Sequence, residues 1–64
     1  MKAIYDREAN ALFVRLSGGK IAESEEMRPG LIIDFDSEGK IVGFEMPNAR
    51  MQLPPDALVS VAAE

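Results

Sequence analysis

The chain has 64 residues and a formal charge of −4, and it contains no cysteine and no histidine. A single domain of this length buries only about 60% of its unfolded surface, so we expect a thin core. Zinc and iron sites are disfavoured because only oxygen ligands, suited to hard cations, remain. The seven basic residues are scattered, so no phosphate-binding track forms and nucleic-acid binding is not expected.

No apolar run approaches the roughly 20 residues that a membrane helix needs, and the opening MKAIYDREAN is a charged, strand-like segment. We therefore expect a cytoplasmic protein with no membrane partner. The absence of cysteine agrees with that compartment, since small secreted domains more often carry disulfides. A hydrophobic fraction of 47% is typical of a folded domain.

The first predicted element is a hairpin over residues 2–17. In ALFVRLS the apolar positions 12, 14 and 16 alternate with Phe13 and Arg15, which is the period of a strand. KAIYD alternates in the same way, and DREAN supplies turn residues between the two strands. The pair Gly18-Gly19 then permits a tight turn and ends the hairpin.

The next segment, KIAESEEM, is polar and acidic, which predicts either a solvent-facing edge strand or a loop. Acidic side chains on an edge strand resist pairing with other chains. The sequence RPG follows, where Pro29 lacks an amide hydrogen and Gly30 permits a turn. A new strand is therefore expected to begin at Leu31.

A second hairpin is predicted from LIIDFD and KIVGFEM, which are separated by the short loop SEG. A three-residue hairpin loop ends in a left-handed residue, and Gly39 fills that position. The loop predicts three pairs: Phe35 with Ile41, Asp34 with Val42, and Ile32 with Phe44.

This register makes both faces of the second hairpin apolar. Residues 31, 33, 35 and 41 would share one face, and a lone sheet cannot cover the other. Contiguous apolar patches usually mark an interface. The residues that we predict on this second face, and as a candidate interface, are Ile32, Val42, Phe44 and Met46.

The C-terminal segment begins at about residue 47 and contains paired prolines that stop any earlier element. Pro55 could open a short helix, and Asp56 would favour its first turn. We favour a helix within residues 56–63, although LVSVA also alternates like a strand. The predicted fold is mainly β to α+β: one domain over residues 1–64, with a four- to five-stranded antiparallel β-meander over about residues 1–46 and a short C-terminal helix or tail.

The stretch DFDSEGKIVGFE, residues 34–45, has acids at positions one, three, five and twelve and glycine at six, which approximates an EF-hand calcium loop. An EF-hand loop lies between two helices, whereas both flanks here are strand-like. The same residue types also make a solvated turn. We favour a structural turn and keep, as an alternative, a weak hard-cation (calcium) site at Asp34, Asp36 and Glu38.

Asp34 interrupts the apolar run LIIDF. We expect it near a sheet rim, solvated or paired with Lys40 or Arg15; the alternative is a polar spot within a protein interface. Two carboxylates such as Asp34 and Glu45 could serve acid-base chemistry, but no pattern places two in a shielded cleft. The four serines have no recognisable activating partner, so we expect neither enzyme activity nor a cofactor.

Two blocks, YDREANALFVRLS and GLIIDFDSEGKIVGFEM, resemble a family of small bacterial and archaeal proteins, domain of unknown function 2283. In the first block the matching residues are Tyr5-Asp6, Glu8-Ala9 and Ala11-Leu12, followed by Val14 and Leu16. The second block matches as an apolar strand that ends in acidic residues, a glycine turn and a further strand. The resemblance covers residues 1–49 and implies a small antiparallel β-rich domain. Two departures are Asn10, where an aspartate is usual, and Met46-Pro47, which implies that the last strand ends early.

The resemblance brings no catalytic residues. Family members are similar to products of toxin–antitoxin-like gene pairs, which implies an antitoxin-like role beside a small basic partner. From the residues themselves, our main prediction is a non-enzymatic protein-interaction module that forms a homodimer, or binds a small protein partner, through an apolar sheet face. The antitoxin-like role and the weak calcium site are the alternatives.

Overall fold

The computed structural model describes residues 1–63 of the chain, in which the strands form one sheet and two short helices lie between the fifth and sixth strands. Five strands pair antiparallel, and the sixth runs parallel to the first. The predicted class, mostly β with a small α contribution, is confirmed. The elements are β1 Lys2–Asp6, β2 Ala11–Arg15, β3 Glu23–Arg28, β4 Leu31–Phe35, β5 Ile41–Pro47, α1 Ala49–Gln52, α2 Pro55–Val59 and β6 Ala62–Ala63.

The strand order across the sheet is β3-β4-β5-β2-β1-β6. The strands follow chain order within β1-β2 and within β3-β4-β5, but β5 rather than β3 lies beside β2. Strand β3 is therefore an edge strand, and all six of its residues are exposed. Neither helix within residues 1–63 is long and apolar enough to cross a membrane.

The first hairpin forms as predicted, and polar side chains at its turn explain why. The Asp6 carboxylate accepts hydrogen bonds from the backbone amides of Glu8 and Ala9, at 3.0 and 3.1 Å. Asn10 adopts a left-handed conformation with φ 55°, which asparagine tolerates better than most residues. Its side-chain oxygen accepts from the Tyr5 hydroxyl at 2.8 Å.

The turn of the second hairpin is also confirmed. Gly39 has φ 80°, and its amide donates to the Asp36 carbonyl at 3.0 Å. The Asp36 amide donates to the Lys40 carbonyl at 2.9 Å. This is the three-residue loop with a left-handed glycine that the sequence predicts.

The predicted register of this hairpin is correct only at the turn. Phe35 pairs with Ile41, but beyond it the register shifts, so that Asp34 lies opposite Gly43. The expected pairs of Asp34 with Val42 and of Ile32 with Phe44 are wrong by one residue. A β-bulge adds one residue to β5, and every later side chain on that strand then points to the other face.

The core lies on one side of the sheet, which we call the covered face. Its buried side chains are Tyr5, Leu12 and Val14 from the first hairpin and Ala49 from α1. The C-terminal segment supplies the second layer, as a two-layer architecture requires. Partly buried side chains pack against this core: Ala3, Phe44, Met46, Leu53, Leu58 and Val61.

The two alternatives for the C-terminal segment each describe part of it. Helix α2 has proline at its start and Asp56 in its first turn, as expected, but it ends at Val59. Residues 62 and 63 then pair in parallel with Ile4 and Tyr5 of β1. Helix α1 was not predicted, because its four residues are too short for a periodic pattern.

Candidate functional site

The second side of the sheet carries a row of side chains that the helices do not cover. Ile4 lies opposite Phe13, Phe13 opposite Glu45, and Glu45 opposite Ile32. Residues opposite one another on paired strands share a face, so these four lie side by side on four strands. Phe13 is 39% exposed although its strand is central. We call this surface, formed by Ile4, Phe13, Ile32, Asp34 and Glu45, the open face.

Asp34 lies at one end of the open face and is the most deeply buried charged residue described, at 1% exposure. The Ser24 hydroxyl on the neighbouring strand donates a hydrogen bond to its carboxylate at 2.6 Å. Across the sheet, Asp34 lies opposite Gly43. Glu45 is two residues further along the same strand and face, which makes it the diagonal neighbour of Asp34.

Asp34 and Glu45 form a carboxyl pair. The pKa of Glu45 is raised from its ordinary value of 4.5, first by burial, then by a side-chain hydrogen bond with Asp34 and by the charge of Asp34. Two carboxyl groups can share a hydrogen bond only if one of them carries a proton. The pair therefore holds a proton more readily than an isolated glutamate does.

The loop between β2 and β3 lies at the end of the sheet where β2 ends. Arg15 belongs to the open face because it lies opposite Gly43, and its guanidinium donates to the carbonyls of Ser17, at 3.1 Å, and Gly19. Loop residue Gly19 also lies near the Val42 side chain. These contacts hold the loop against the end of β2, beyond the row that contains Phe13.

The predicted environment of Asp34 was wrong. We expected Asp34 near a rim, solvated or paired with Lys40 or Arg15, but it is buried on an interior strand with Ser24 as its hydrogen-bond donor. Arg15 is directed to the loop carbonyls instead. The expectation failed because it depended on the shifted register, which determines which side chains face one another.

The four candidate interface residues do not share one face. Ile32 lies on the open face opposite Glu45. Phe44 and Met46 pack against the core on the covered face, and Val42 is buried with 3% exposure. The expectation of one shared face is corrected by the bulge, while an interface role for these residues stays a prediction.

The residues of the cation alternative are used within the hairpin. One oxygen of Asp36 accepts hydrogen bonds from the backbone amides of Glu38 and Lys40, both at 2.9 Å. Asp34 is buried against Ser24, and Glu38 is exposed at the turn. Among the residues whose positions are described, no three acidic side chains lie close enough together to hold a metal ion. Calcium binding at this turn stays an untested prediction.

Sequence reasoning missed Phe13, Ile4 and Ser24 as components of a site. A signal for Phe13 was present, because an aromatic residue alternated with the apolar positions of β2 and so had to lie on the opposite face. Ser24 gave no signal, since its partnership with Asp34 depends on how two strands align. Glu45 had been considered only as one of several unplaced carboxylates.

The fold and this surface define a class: a small antiparallel β-sheet domain, one face packed by short C-terminal helices and the other carrying a carboxyl pair among apolar side chains. The family model described as "Protein of unknown function (DUF2283)" matches residues 2–50. The chain therefore belongs to that family, as the resemblance implied. No curated protein and no solved structure matches the chain.

Proposed function

We propose that this protein is a non-enzymatic interaction module that forms a homodimer through its open face. The observation that carries the proposal is Phe13, which is 39% exposed in the middle of the sheet. Ile4 and Ile32 lie in the same row, so three of its four side chains are apolar and Glu45 is the fourth. A largely apolar patch is typical of the central part of a protein interface.

The small size of the core is a reason to expect a second layer packed on the open face. Only a few apolar residues among those described are fully buried, and all but one belong to the covered-face cluster. Small domains of this size commonly gain stability through association. The molecule measures 34 × 23 × 17 Å, so its broad face offers on the order of 800 Å², the share of one partner in a standard interface.

The distribution of charge supports a second copy as the occupant. On the open face, Glu26 lies on edge strand β3 opposite Ile32, and Lys2 lies on β1 opposite Arg15, towards the other edge of the sheet. A two-fold axis lying between the two open faces and parallel to the strands would bring Glu26 of each copy over the β1 side of the other copy, near Lys2. The interface would be isologous and closed, with complementary charges at its rim.

Light scattering coupled to size-exclusion chromatography tests the proposal. The wild-type chain should elute as a dimer, and Phe13→Asp should dissociate it because a charge would be buried at the centre of the interface. Phe13→Thr, which keeps a high strand propensity, should weaken the dimer while preserving the circular dichroism spectrum. Met51→Asp is the matched control, since Met51 is 86% exposed on helix α1.

Dimer formation by Met51→Asp together with monomeric, folded Phe13 variants would support the open face as the interface. A wild-type chain that stays monomeric at millimolar concentration would overturn the proposal. So would a Phe13→Asp variant that dimerises as tightly as the wild type. In the latter case the dimer would have to form through another surface, such as edge strand β3.

An antitoxin-like role is the second candidate, favoured by the exposed acidic edge. Every residue of β3 is exposed and three of them are glutamates, which suits a small basic protein partner. Co-expression with the product of the adjacent gene should yield a complex that weakens with salt and is lost when Glu23 and Glu25 are changed to lysine. A homodimer that co-purifies with no neighbouring gene product would reject this candidate.

A further inference from the structure

The carboxyl pair lies where the proposed dimer would exclude water. Glu45 is in the same row as Phe13 and Ile32, and Asp34 beside it is 1% exposed. Asp34 lies opposite Gly43 on β5, and Glu45, two residues further along β5, is its diagonal neighbour on the same face. A second copy that covers Phe13 therefore also covers Glu45.

The charged groups that face the pair do not neutralise it. From β2, Arg15 is directed to the carbonyls of the β2–β3 loop, and from β1, Lys2 lies one strand further away, opposite Arg15. From β3, Ser24 donates to Asp34, and Glu26 lies opposite Ile32 and adds negative charge. From the far end of β1, Asp6 uses its carboxylate to hold the first turn. The helices pack on the other face.

We infer that association through the open face is coupled to protonation of the Asp34–Glu45 pair, so that the dimer forms more tightly as the pH falls. The inference rests on the proposed function. Burying an ionised carboxylate against apolar side chains costs several kcal/mol. A Glu45 carboxyl that carries the shared proton avoids that penalty and keeps its hydrogen bond to Asp34. Formation of the dimer should therefore be accompanied by uptake of a proton.

Linkage gives the size of the effect. Each copy contributes one pair, so a two-fold dimer takes up as many as about two protons, and its association constant falls by up to about 100-fold per pH unit where the free pair is ionised. A fall in pH also makes each chain less negative. The repulsion between the two copies then weakens, which favours the dimer as well. A test has to separate these two causes.

Sedimentation equilibrium at constant ionic strength, at about pH 5.5 and about pH 8, measures the dimer dissociation constant for the full chain. For the wild type it should increase at least about tenfold across this interval. Glu45→Gln remains neutral and its amide can still donate to Asp34, so its dissociation constant should change by less than about threefold. Glu38→Gln is the control: it changes net charge equally but lies at the exposed turn, and it should keep the wild-type pH dependence.

Asp34→Asn provides a second variant, since the remaining Glu45 then has an amide partner and the pair no longer needs a shared proton. Circular dichroism establishes that each variant is folded. A dimer equally tight at both pH values, or a Glu45→Gln variant with the wild-type dependence, would overturn the proton linkage and leave the homodimer standing. A wild-type chain that is monomeric at both pH values would overturn both.

Discussion

At the scale of single residues, the hydrogen bonds of Asn10 join two parts of the fold. Asn10 accepts hydrogen bonds from the Tyr5 hydroxyl and from the amide of Arg50 at the start of α1, at 2.8 and 3.0 Å. Its carbonyl also accepts from the amide of Ala49 at 3.0 Å. One residue thus joins the first turn to the helical layer. An aspartate at this position would offer a carboxylate oxygen to the same donors and would tolerate the left-handed backbone equally well.

Replacing Asn10 with alanine should therefore lower the free energy of unfolding by roughly 2–4 kcal/mol, from left-handed strain and the loss of two hydrogen bonds to its side-chain oxygen. Asn48→Ala separates the two causes, because Asn48 has φ 54° but makes no side-chain capping bond. Urea denaturation should give a smaller loss for Asn48→Ala and little loss for Asn10→Asp. Equal losses at positions 10 and 48 would mean that the Asn10 hydrogen bonds contribute nothing.

The carboxyl pair should also make the stability of the single chain depend on pH. The pKa of Glu45 is raised above 4.5 in the folded state, so the folded chain holds a proton that the unfolded chain has already released. The stability contribution of this group is therefore greatest below pH 4.5 and is lost as the pH rises through the folded-state pKa. Ionised Glu45 destabilises the fold above that range.

Glu45→Gln removes this dependence. In dilute solution, where the chain is monomeric, the free energy of unfolding of Glu45→Gln minus that of the wild type should grow as the pH rises from 4.5 towards neutrality. Chemical denaturation at several pH values measures the difference, with Glu38→Gln as the exposed control. A difference that stays constant with pH would show that Asp34 and Glu45 do not share a proton in the monomer.

At the scale of elements, the pairing of β5 with β2 joins the two hairpins into one sheet. This pairing depends on Gly43. A Cβ atom at this position would lie 2.5 Å from the carbonyl oxygen of Val14, a backbone atom that cannot move aside easily. The next nearest atoms to such a Cβ also belong to β2, namely Cδ and Cα of Arg15 at 3.4 and 3.5 Å. Glycine at position 43 therefore allows β5 and β2 to approach closely.

Gly43→Ala should cost roughly 1–3 kcal/mol of unfolding free energy, because the added methyl group forces β5 away from β2. Gly18→Ala is the matched control, since a Cβ there meets no atom within 4 Å, and it should be neutral or slightly stabilising. Thermal unfolding compares the two. If both variants unfold at the wild-type temperature, β5 and β2 do not approach as closely as described.

The elements themselves could be predicted from the sequence because their signals are local. Alternating residues indicated β2, Gly39 identified the second turn, and the acidic run indicated either an edge strand or a loop, of which the edge strand β3 is present. The register beyond the turn could not be predicted, since the period-two pattern carries no mark of the bulge near Val42. The pairing of β5 with β2 joins segments that are distant in the sequence. The Asp34–Glu45 pair can be inferred only once this pairing and the register of the second hairpin are known.

At the scale of the whole molecule, the sheet is covered on one side by residues that mostly lie outside the family match. The match ends at residue 50, whereas Leu53, Leu58 and Val61 pack against the core beyond it. The C-terminal segment therefore supplies the second layer that the sheet requires. The helices of residues 1–63 do not cover the open face, which is why we propose a second copy as its partner.

If the C-terminal layer holds the covered face, two neighbouring residues of α2 should respond differently to truncation. Leu58 packs against the core, so Leu58→Ala should lower the free energy of unfolding by roughly 1–3 kcal/mol, a large part of the stability of so small a domain. Val59 is 84% exposed, and Val59→Ala should change it by less than about 0.5 kcal/mol. Urea denaturation monitored by circular dichroism measures both, and equal effects would mean that α2 does not dock as a layer. Because α2 packs opposite the open face, a destabilised but folded Leu58→Ala chain should still dimerise, which separates the two faces of the sheet experimentally.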